Sequence, residues 1–323
     1  MKAVVVTAFG GPEVLEARVL PEPTPVASEV LIRPHYISVN FADLKARLGA
    51  HHIRPELPFV PGLDVSGEVV AVGEGVSGLA PGAWVAAATE GGAYAELVRA
   101  RPQLTFPLPE RAYLAQAAGI VAMMTAFNLL KLGRLEPGET VLVHAAAGGV
   151  GTLLLQLARL QGAGRVIGVV GSESKRPVAE RFGADTVINS REEDLEDAVR
   201  EVTGGRGADL ILDSVAGPVF AANLAVLAPF GRIVVFGEAS GEAGTLRTDT
   251  LHSSNRSVIG YSSGHYRKHR PDGVREGAQT MLRHLAEGNL QVPITATLPL
   301  EDAAEAHRLI ESRTTTGKLL LTP

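Results

Sequence analysis

The sequence predicts an α/β protein in which a doubly wound parallel sheet accompanies a smaller, mostly β domain. Three features of the 323 residues predict this class. An apolar run at 140–143 leads directly into a glycine-containing turn at 144–151, short apolar runs alternate with helical segments after that turn, and short strands broken by glycine and proline precede it. A chain of this length has room for about two domains with cores of their own.

Residues 1–119 are predicted to form the mostly β domain. Its turns contain glycine and proline, as at Pro61-Gly62 and Pro81-Gly82. Short strands separated by turns that contain glycine and proline are typical of compact β structure. The predicted strands are 1–7, 29–35, 64–72, 83–88 and 94–98.

Residues 120–258 are predicted to form a Rossmann-type domain, which contains the doubly wound sheet. Its strands are continuous apolar runs of about five or six residues, as a sheet covered by helices on both faces requires. The predicted strands are 140–143, 165–170, 185–189, 209–213 and 232–237, and the predicted helices are 152–160, 175–182, 195–202 and 218–227. This alternation of strand and helix favours parallel pairing.

Residues 259–323 are too few for a third domain. We expect them to extend the sheet and to complete the N-terminal domain. The predicted strands are 256–261, 294–298 and 318–321, and the predicted helices are 274–287 and 301–311.

The turn at 144–151 predicts a dinucleotide site. Glycines let the backbone approach a pyrophosphate, and the free amides of the following helix, together with its dipole, attract negative charge. The spacing Ala145-x-x-Gly148-x-x-Gly151 has alanine in place of the first glycine, so a Gly/Ala-rich turn that only packs a helix on a sheet is the alternative. The strands and helices that follow favour the cofactor.

Composition indicates a globular protein, because 46% of the residues are hydrophobic and 20% are charged. The net charge of −5 argues against partners such as nucleic acid or an anionic membrane. The basic cluster at 267–270 is predicted to be a solvated loop. The N-terminus has no export signal, and polar residues interrupt the apolar segment 115–130, so we expect a soluble, cytoplasmic protein without a membrane span.

The chain contains no cysteine, which excludes disulfides, thiolate zinc sites, iron–sulfur clusters and a cysteine nucleophile. Adjacent histidines at His51 and His52 point in different directions on any regular element, and no carboxylate or histidine close by completes a ligand set. They are predicted to be exposed loop residues, and no metal site is predicted.

Seven segments together resemble one superfamily over essentially the full length of the chain. They are 38–43, 61–68, 91–96, 123–127, 144–151, 213–217 and 317–321. In order and spacing they resemble the medium-chain dehydrogenase/reductase superfamily, and within it the zinc-independent quinone oxidoreductases. The resemblance implies a GroES-like catalytic domain, a Rossmann domain, a cofactor cleft between them and a homodimer.

The zinc ligands of the superfamily's alcohol dehydrogenases are missing from this chain. Residues 38–43 lack the cysteine ligand, Gly62-Leu63-Asp64 replaces the Gly-His-Glu ligand motif, and the cysteine-rich loop that binds structural zinc is missing. The resemblance therefore implies hydride transfer from a nicotinamide cofactor to an acceptor that is already electrophilic, such as a quinone or a conjugated enone or enal. Enoyl thioester reduction and NADPH binding without significant turnover are the alternatives.

The residues after the strand 165–170 favour NADPH over NADH. Ser172 can donate to a 2′-phosphate and Lys175 can pair with its charge, as the matching positions do in the resembling family. Glu173 argues against this assignment, since a carboxylate turned toward the ribose favours NAD. Ser190 stands where relatives often have a tyrosine beside the phosphate. The resemblance implies further cofactor contacts at Phe41, Gly148, Gly149, Val150, Phe236, Gly237 and Lys318.

Three residues are predicted to be catalytic by family position. Asn40 and Asp43 are expected to face the nicotinamide, and Thr125 is expected to form a hydrogen bond near its ring. The Asn40 amide would stabilise the negative charge that develops on the acceptor oxygen. Alternatively, Asn40 and Asp43 are cap or turn residues of their own loop, and Thr125 is a core threonine bonded to its own helix.

Overall fold

The computed structural model of the protein describes residues 1–50 and 54–323, so that His51 and His52 lie outside the described residues. The strands in the described residues are β1 (Lys2–Val6), β2 (Leu15–Val19), β3 (Val30–Val39), β4 (Asp64–Val72), β5 (Trp84–Ala88), β6 (Val98–Ala100), β7 (Thr105–Pro107), β8 (Thr140–Val143), β9 (Arg165–Val170), β10 (Thr186–Asn189), β11 (Ala208–Asp213), β12 (Leu227–Val235), β13 (Ser257–Gly260), β14 (Ile294–Pro299) and β15 (Lys318–Thr322). The helices are α1 (Phe41–Arg47), α2 (Leu114–Ala117), α3 (Ile120–Gly133), α4 (Gly149–Leu160), α5 (Arg176–Arg181), α6 (Leu195–Thr203), α7 (Pro218–Ala225), α8 (Asp249–His252), α9 (Ser263–His269), α10 (Pro271–Ala286) and α11 (Ala303–Glu311).

The described chain divides into two compact units. The first consists of Met1–Met124 together with Gly264–Pro323, and the second consists of Thr125–Ser263. We refer to them below as the first and the second unit.

The second unit contains a six-stranded sheet in the order β10-β9-β8-β11-β12-β13. All neighbouring strands are parallel. The strand order reverses between β8 and β11, which is the arrangement of a doubly wound Rossmann sheet. α4 packs on β8 and β9, and α7 packs on β12. The predicted α/β class with a doubly wound parallel sheet is confirmed.

The first unit contains a seven-stranded sheet whose main path runs β14-β15-β3-β4-β5-β7. β15 pairs antiparallel with β3, with Leu319 opposite Val39. Lys318 therefore lies beside the end of β3, although the two strands are far apart in sequence. β4 pairs antiparallel with β3 on its other side, and β1 and β2 form a separate pair.

The predicted strand at 94–98 differs from the structure, in which β6 begins only at the last of these residues. Tyr94 is buried, its N–H donates to Pro61 O, and its carbonyl accepts from Val4 N–H. These bonds attach the segment to β1 and to the preceding loop rather than to a sheet strand on both sides. α1, β2 and β7 are missing from the sequence prediction because each is short and has no clear periodicity.

The prediction of a solvated loop at 267–270 is wrong for its first residues. α9 extends through His269, and Arg267 is only 6% exposed. Burial raises the pKa of Asp64, and the charge of Arg267 is one of several influences that oppose this rise. Lys268 and Arg270 are exposed, as predicted.

No single helix in the described residues is long and apolar enough to cross a membrane. Arg111–Ala117 and Ile120–Gly133 are long and apolar enough only when taken together, and the two helical segments are bent by 65° relative to each other.

A buried arginine joins two strands of the second unit, and the residue before β8, to the end of α3. Arg232, on β12, forms two hydrogen bonds with Glu139 at 2.6 and 2.8 Å. Its remaining donors bind the backbone oxygens of Gly133 and Arg134, both at 2.8 Å, and of Asp209 at 3.2 Å. The guanidinium is thus fully used, which is the condition for burying its charge at acceptable cost.

We expect Arg232→Met to lower the free energy of unfolding by about 3 kcal/mol, because it leaves the Glu139 carboxylate half-buried without its cation. The matched control is Arg247→Met, which removes an exposed pair with Asp249 and should cost less than about 1 kcal/mol. Urea titrations followed by circular dichroism measure both values. Equal effects of the two substitutions would contradict the structural role given to Arg232.

Candidate active site

Asn40 lies where β3 ends and α1 begins, and its side chain is held from two sides. Its amide nitrogen donates to Asp64 Oδ1 at 2.7 Å and, less closely, to Ser38 O at 3.3 Å. Its amide oxygen accepts from Lys318 Nζ at 2.8 Å. The amide of Asn40 therefore connects a buried cation to a buried carboxylate.

Lys318 is the first residue of β15 and is 5% exposed. Its ammonium donates to Val39 O and to Asn40 Oδ1, both at 2.8 Å. Burial lowers the pKa of Lys318, and the nearby carboxylates of Asp64 and Asp43 oppose that fall. The pairing of β15 with β3 brings this charge to the end of β3.

Asp64 is fully buried at the start of β4. Besides accepting from Asn40, its carboxylate accepts the backbone N–H of Val121 at 2.8 Å, in the first turn of α3. A negative charge is favourable at a helix N-terminus. Burial raises the pKa of Asp64, while Lys318 and these hydrogen bonds oppose that rise.

Asp43 is buried in the first turn of α1 and has the contacts of a cap residue. Its Oδ2 accepts from the backbone N–H of Asn40 at 2.8 Å and from the Tyr94 hydroxyl at 3.3 Å. Burial raises the pKa of Asp43 to about 7, although the bond from Asn40 lowers it. Asn40, Asp43 and Lys318, which were predicted from the sequence as site residues, thus lie together. The contacts of Asp43 are those of a residue that caps the N-terminus of its own helix, which was the alternative to a catalytic role.

These side chains do not match the donor set of a catalytic zinc. Among the residues that the structure describes, no group of three or more histidines, cysteines, aspartates and glutamates could hold a metal ion. Both oxygens of Asp64 accept hydrogen bonds from Asn40 and Val121, and the Lys318 ammonium opposes a second cation at this place.

The predicted cofactor turn lies in the second unit, between β8 and α4. Gly148 caps α4, and the first backbone bond of the helix runs from Thr152 N–H to Gly148 O. The amides of Gly149 and Val150 precede that bond and lie in half-exposed residues, so they are suited to an anionic ligand.

Two backbone features fix the shape of this turn. Ala145 adopts a φ of +49°, in the region that favours glycine, which explains why glycine is usual at this place. A Cβ atom at Gly151 would lie only 2.3 Å from Ala145 O, so the close approach of helix and turn requires glycine there.

A buried polar network that was missed in the sequence supports the same turn. The ring Nε2 of His144 lies 2.7 Å from Asn223 Oδ1, and the Asn223 amide donates to Asp213 Oδ2 at 3.1 Å. Asp213 Oδ1 accepts the backbone N–H groups of Val215 and Ala216. The network joins the carboxyl ends of β8 and β11, where the strand order of the sheet reverses. Its sequence signal is a histidine and an aspartate that each end an apolar strand.

The residues predicted to distinguish NADPH from NADH lie after β9. The Glu173 carboxylate pairs with Arg176 Nε at 2.6 Å, and this pairing lowers the pKa of Glu173. Ser172 lies 3.0 Å from Ser174 through their hydroxyls, and Lys175 is half-buried. Ser190 follows β10, and its hydroxyl donates to Val170 O at 3.2 Å.

The remaining predicted residues lie at element ends or in a helix. Phe41 begins α1 and is 44% exposed. Thr125 is buried within α3. Phe236 and Gly237 follow β12, where Phe236 N–H donates to Asp213 O at 2.9 Å and a Cβ at Gly237 would lie 2.8 Å from Ser214 O.

Two domain families match the chain. The alcohol dehydrogenase GroES-like domain matches residues 26–110, and the zinc-binding dehydrogenase domain matches residues 149–282. Together with the Rossmann sheet they define a medium-chain dehydrogenase/reductase, and the predicted GroES-like domain is confirmed.

Individual relatives show to which family within this superfamily the chain belongs. The quinone oxidoreductase of Sus scrofa is 36% identical over 327 residues, which cover 99% of this chain and 97% of the relative. The structure of Escherichia coli quinone oxidoreductase complexed with NADPH has a TM-score of 0.94 and 32% identity, and that of mycobacterial Rv1454c complexed with NADPH has a TM-score of 0.93 and 36% identity; both cover 100% of either chain. The chain belongs to the quinone oxidoreductase family of oxidoreductases.

We expect Gly151→Ala to lower the free energy of unfolding by about 2 kcal/mol, because the new methyl group forces the backbone of Ala145 to move. Gly260→Ala is the matched control, since no atom lies within 4 Å of a Cβ there. Its effect should stay within about 0.5 kcal/mol. Chemical denaturation of both variants measures the difference, and a tolerated Gly151→Ala would contradict the tight turn.

Asp43→Asn should change how stability depends on pH. The pKa of Asp43 is about 7 in the folded protein, against an ordinary value of 3.8. Between these pH values Asp43 binds a proton in the folded state but not in the unfolded state, so the free energy of unfolding of the wild type falls as pH rises. The unfolding free energy of Asp43→Asn minus that of the wild type should therefore grow from about pH 4 to pH 7, by at most about 1.4 kcal/mol per pH unit.

The control for this change is Asp249→Asn, at an exposed carboxylate whose pKa is lowered by Arg247. Its difference from the wild type should not grow over the same range. The pKa of His307 is lowered to about 3 by burial, so His307 adds stability as pH rises toward 6.5 and masks the effect of Asp43 in the wild type alone. A flat difference for Asp43→Asn would show that the carboxylate is ionised throughout.

Proposed function

We propose that the protein transfers a hydride from NADPH to a quinone or to a conjugated enone or enal, without a catalytic metal. The observation that carries this proposal is the array of Lys318, Asn40 and Asp64. It combines a buried cation, a polarised amide and a carboxylate in the part of the chain where zinc-dependent relatives have their ligands.

Asn40 is proposed to orient the acceptor and to stabilise its oxygen. The Lys318 ammonium bonded to Asn40 Oδ1 draws electron density from the amide and makes its N–H groups stronger donors. The bond from Asn40 to Ser38 O is long, at 3.3 Å, and can be exchanged for a bond to the acceptor, while the 2.7 Å bond to Asp64 keeps the amide in place. A neutral donor positioned in advance lowers the energy of developing negative charge.

NADPH, when bound, supplies the hydride from its nicotinamide ring. The amides of Gly149 and Val150 suit its pyrophosphate, and Ser172 with Lys175 suits the 2′-phosphate. Gly148 is proposed to contact the cofactor without its own N–H, which donates to Ala145 O at 2.9 Å. The pairing of Glu173 with Arg176 supports this preference, because the carboxylate that would favour NAD is held by another side chain. The further contacts predicted from the family resemblance stay predictions, at Phe41, Thr125, Ser190, Phe236, Gly237 and Lys318.

The reduced acceptor takes up one proton in addition to the hydride, so that a quinone leaves as a hydroquinone. An acceptor conjugated to its carbonyl needs no Lewis acid to accept a hydride, which agrees with the donor set around Asn40. A homodimer is proposed from the family resemblance.

The proposal is tested by following NADPH and NADH oxidation side by side with 1,4-benzoquinone, a 2-alkenal and an enoyl thioester. We expect oxidation that depends on the quinone or alkenal and is faster with NADPH. Fastest turnover with the thioester would instead favour enoyl reduction. Heat protection by NADPH without oxidation of any acceptor would favour a binding protein, and activity only after zinc loading would contradict the metal-free reaction.

Asn40→Ala should lower kcat with 1,4-benzoquinone by about 10²-fold, because the donor to the acceptor oxygen is lost. The Kd for NADPH, measured by fluorescence titration, should change by less than about threefold if the amide acts on the acceptor. Asn289→Ala, at an exposed asparagine bonded to Glu287, is the matched control and should leave both constants unchanged. Unchanged turnover in Asn40→Ala would remove Asn40 from the mechanism.

A further inference from the structure

A second set of polar side chains in the first unit, which we call the Tyr94 chain, joins α11 to the start of α1. Tyr94 Oη lies 3.3 Å from Asp43 Oδ2 and 3.1 Å from His307 Nε2. Arg47 Nη1 lies 3.4 Å from His307 Nδ1, and its other terminal nitrogen pairs with Glu311. Apart from the carboxylate of Glu311, these side chains are buried.

The direction of every hydrogen bond in the Tyr94 chain follows from Arg47. A guanidinium has donors only, so His307 Nδ1 accepts and carries no proton. His307 is then neutral with its proton on Nε2, in agreement with a pKa lowered to about 3 by burial and by Arg47. Nε2–H donates to Tyr94 Oη, and the Tyr94 hydroxyl donates to Asp43.

This fixed direction argues against proton transport along the Tyr94 chain. A proton from Glu311 at the surface would have to pass through Arg47, and an arginine side chain keeps its protons at all working pH values. Buried ionic groups are, moreover, seldom better for stability than apolar residues of similar size. The arrangement is therefore suited to holding one acceptor atom in one place.

The atom that the Tyr94 chain holds is Asp43 Oδ2, which also accepts the backbone N–H of Asn40 at 2.8 Å. Arg47 is itself anchored, since its Nε donates to Gly10 O at 3.1 Å. A shift of Asp43 would release the backbone of Asn40, while Lys318 and Asp64 hold its side chain. Orientation errors of about 1 Å reduce enzymatic rates strongly.

We propose that Tyr94 and His307 are positioning residues, which hold Asp43 and through it the backbone of Asn40 in the orientation that hydride acceptance requires. This inference rests on the proposed function of Asn40. The contacts of Tyr94 and His307 lead to Asp43 and not to the Asn40 amide that is proposed to bind the acceptor, so we expect them to affect the rate of the reaction and not cofactor affinity.

The first test compares Tyr94→Phe with Tyr113→Phe, which removes a hydroxyl that donates to Ala286 O at 3.3 Å elsewhere in the first unit. Tyr94→Phe should lower kcat with 1,4-benzoquinone about tenfold and change the KM for NADPH less than about twofold. Tyr113→Phe should change neither. Equal kcat values in the two variants, or a loss confined to KM, would overturn the inference.

The second test uses the deduced tautomer. His307→Gln retains one acceptor for Arg47 and one donor for Tyr94, whereas His307→Leu retains neither. His307→Leu should lower kcat about as much as Tyr94→Phe, and His307→Gln should restore at least half of the wild-type kcat. If both His307 variants lose kcat equally, the side chain only fills space and the inference is overturned.

A third measurement reads the position of Asn40 without turnover. Hydrogen exchange of the Asn40 backbone amide should be faster in Tyr94→Phe than in the wild type or in Tyr113→Phe. If the wild type reduces no quinone or enone, the proposed function fails. The exchange rate then still tests whether Tyr94, through Asp43, holds the backbone of Asn40 in place. Faster exchange supports the link from Tyr94 to Asn40, and an unchanged rate overturns it.

Discussion

The hydrogen bond between the Lys318 ammonium and the Asn40 amide, completed by Asp64, is the interaction on which the candidate site depends. Each charged group would be costly to bury alone, and burial shifts the pKa of each toward its neutral form. Lying on opposite sides of one amide, they stabilise each other and leave Asn40 with a defined orientation. The Asp64 carboxylate also caps the N-terminus of α3, because it accepts the backbone N–H of Val121.

Strand pairing is what makes this interaction available. Lys318 and Asn40 are separated by 278 residues, and only the antiparallel pairing of β15 with β3 brings them together. Asp64 comes from β4, on the other side of β3. The site is therefore built across three adjacent strands of a sheet, a rigid support that suits a reaction dependent on orientation.

Much of the fold could be predicted from the sequence, because apolar strands and amphipathic helices are local patterns. The parallel sheet and the turn around Gly148 follow from such patterns, whereas a site role for Asn40 is an expectation from the family resemblance and stays a prediction. The Tyr94 chain could not be predicted, since Tyr94 was assigned to a strand and His307 has no neighbouring signal. Arg267 was assigned to a solvated loop because the burial of one residue in a basic cluster depends on tertiary packing, which the local sequence does not show.

The discontinuous first unit has a consequence for synthesis. On the ribosome, Thr125–Ser263 is synthesised before Lys318. Asn40 and Asp64 therefore lack the neighbouring Lys318 ammonium until β15 has been synthesised. Until then residues 37–39 of β3 lack the strand that β15 provides, although β6 pairs with residues 30–32 of β3. The second unit has all of its own strands by that time and can fold first, so the contact of Lys318 with Asn40 forms only after the second unit has been synthesised.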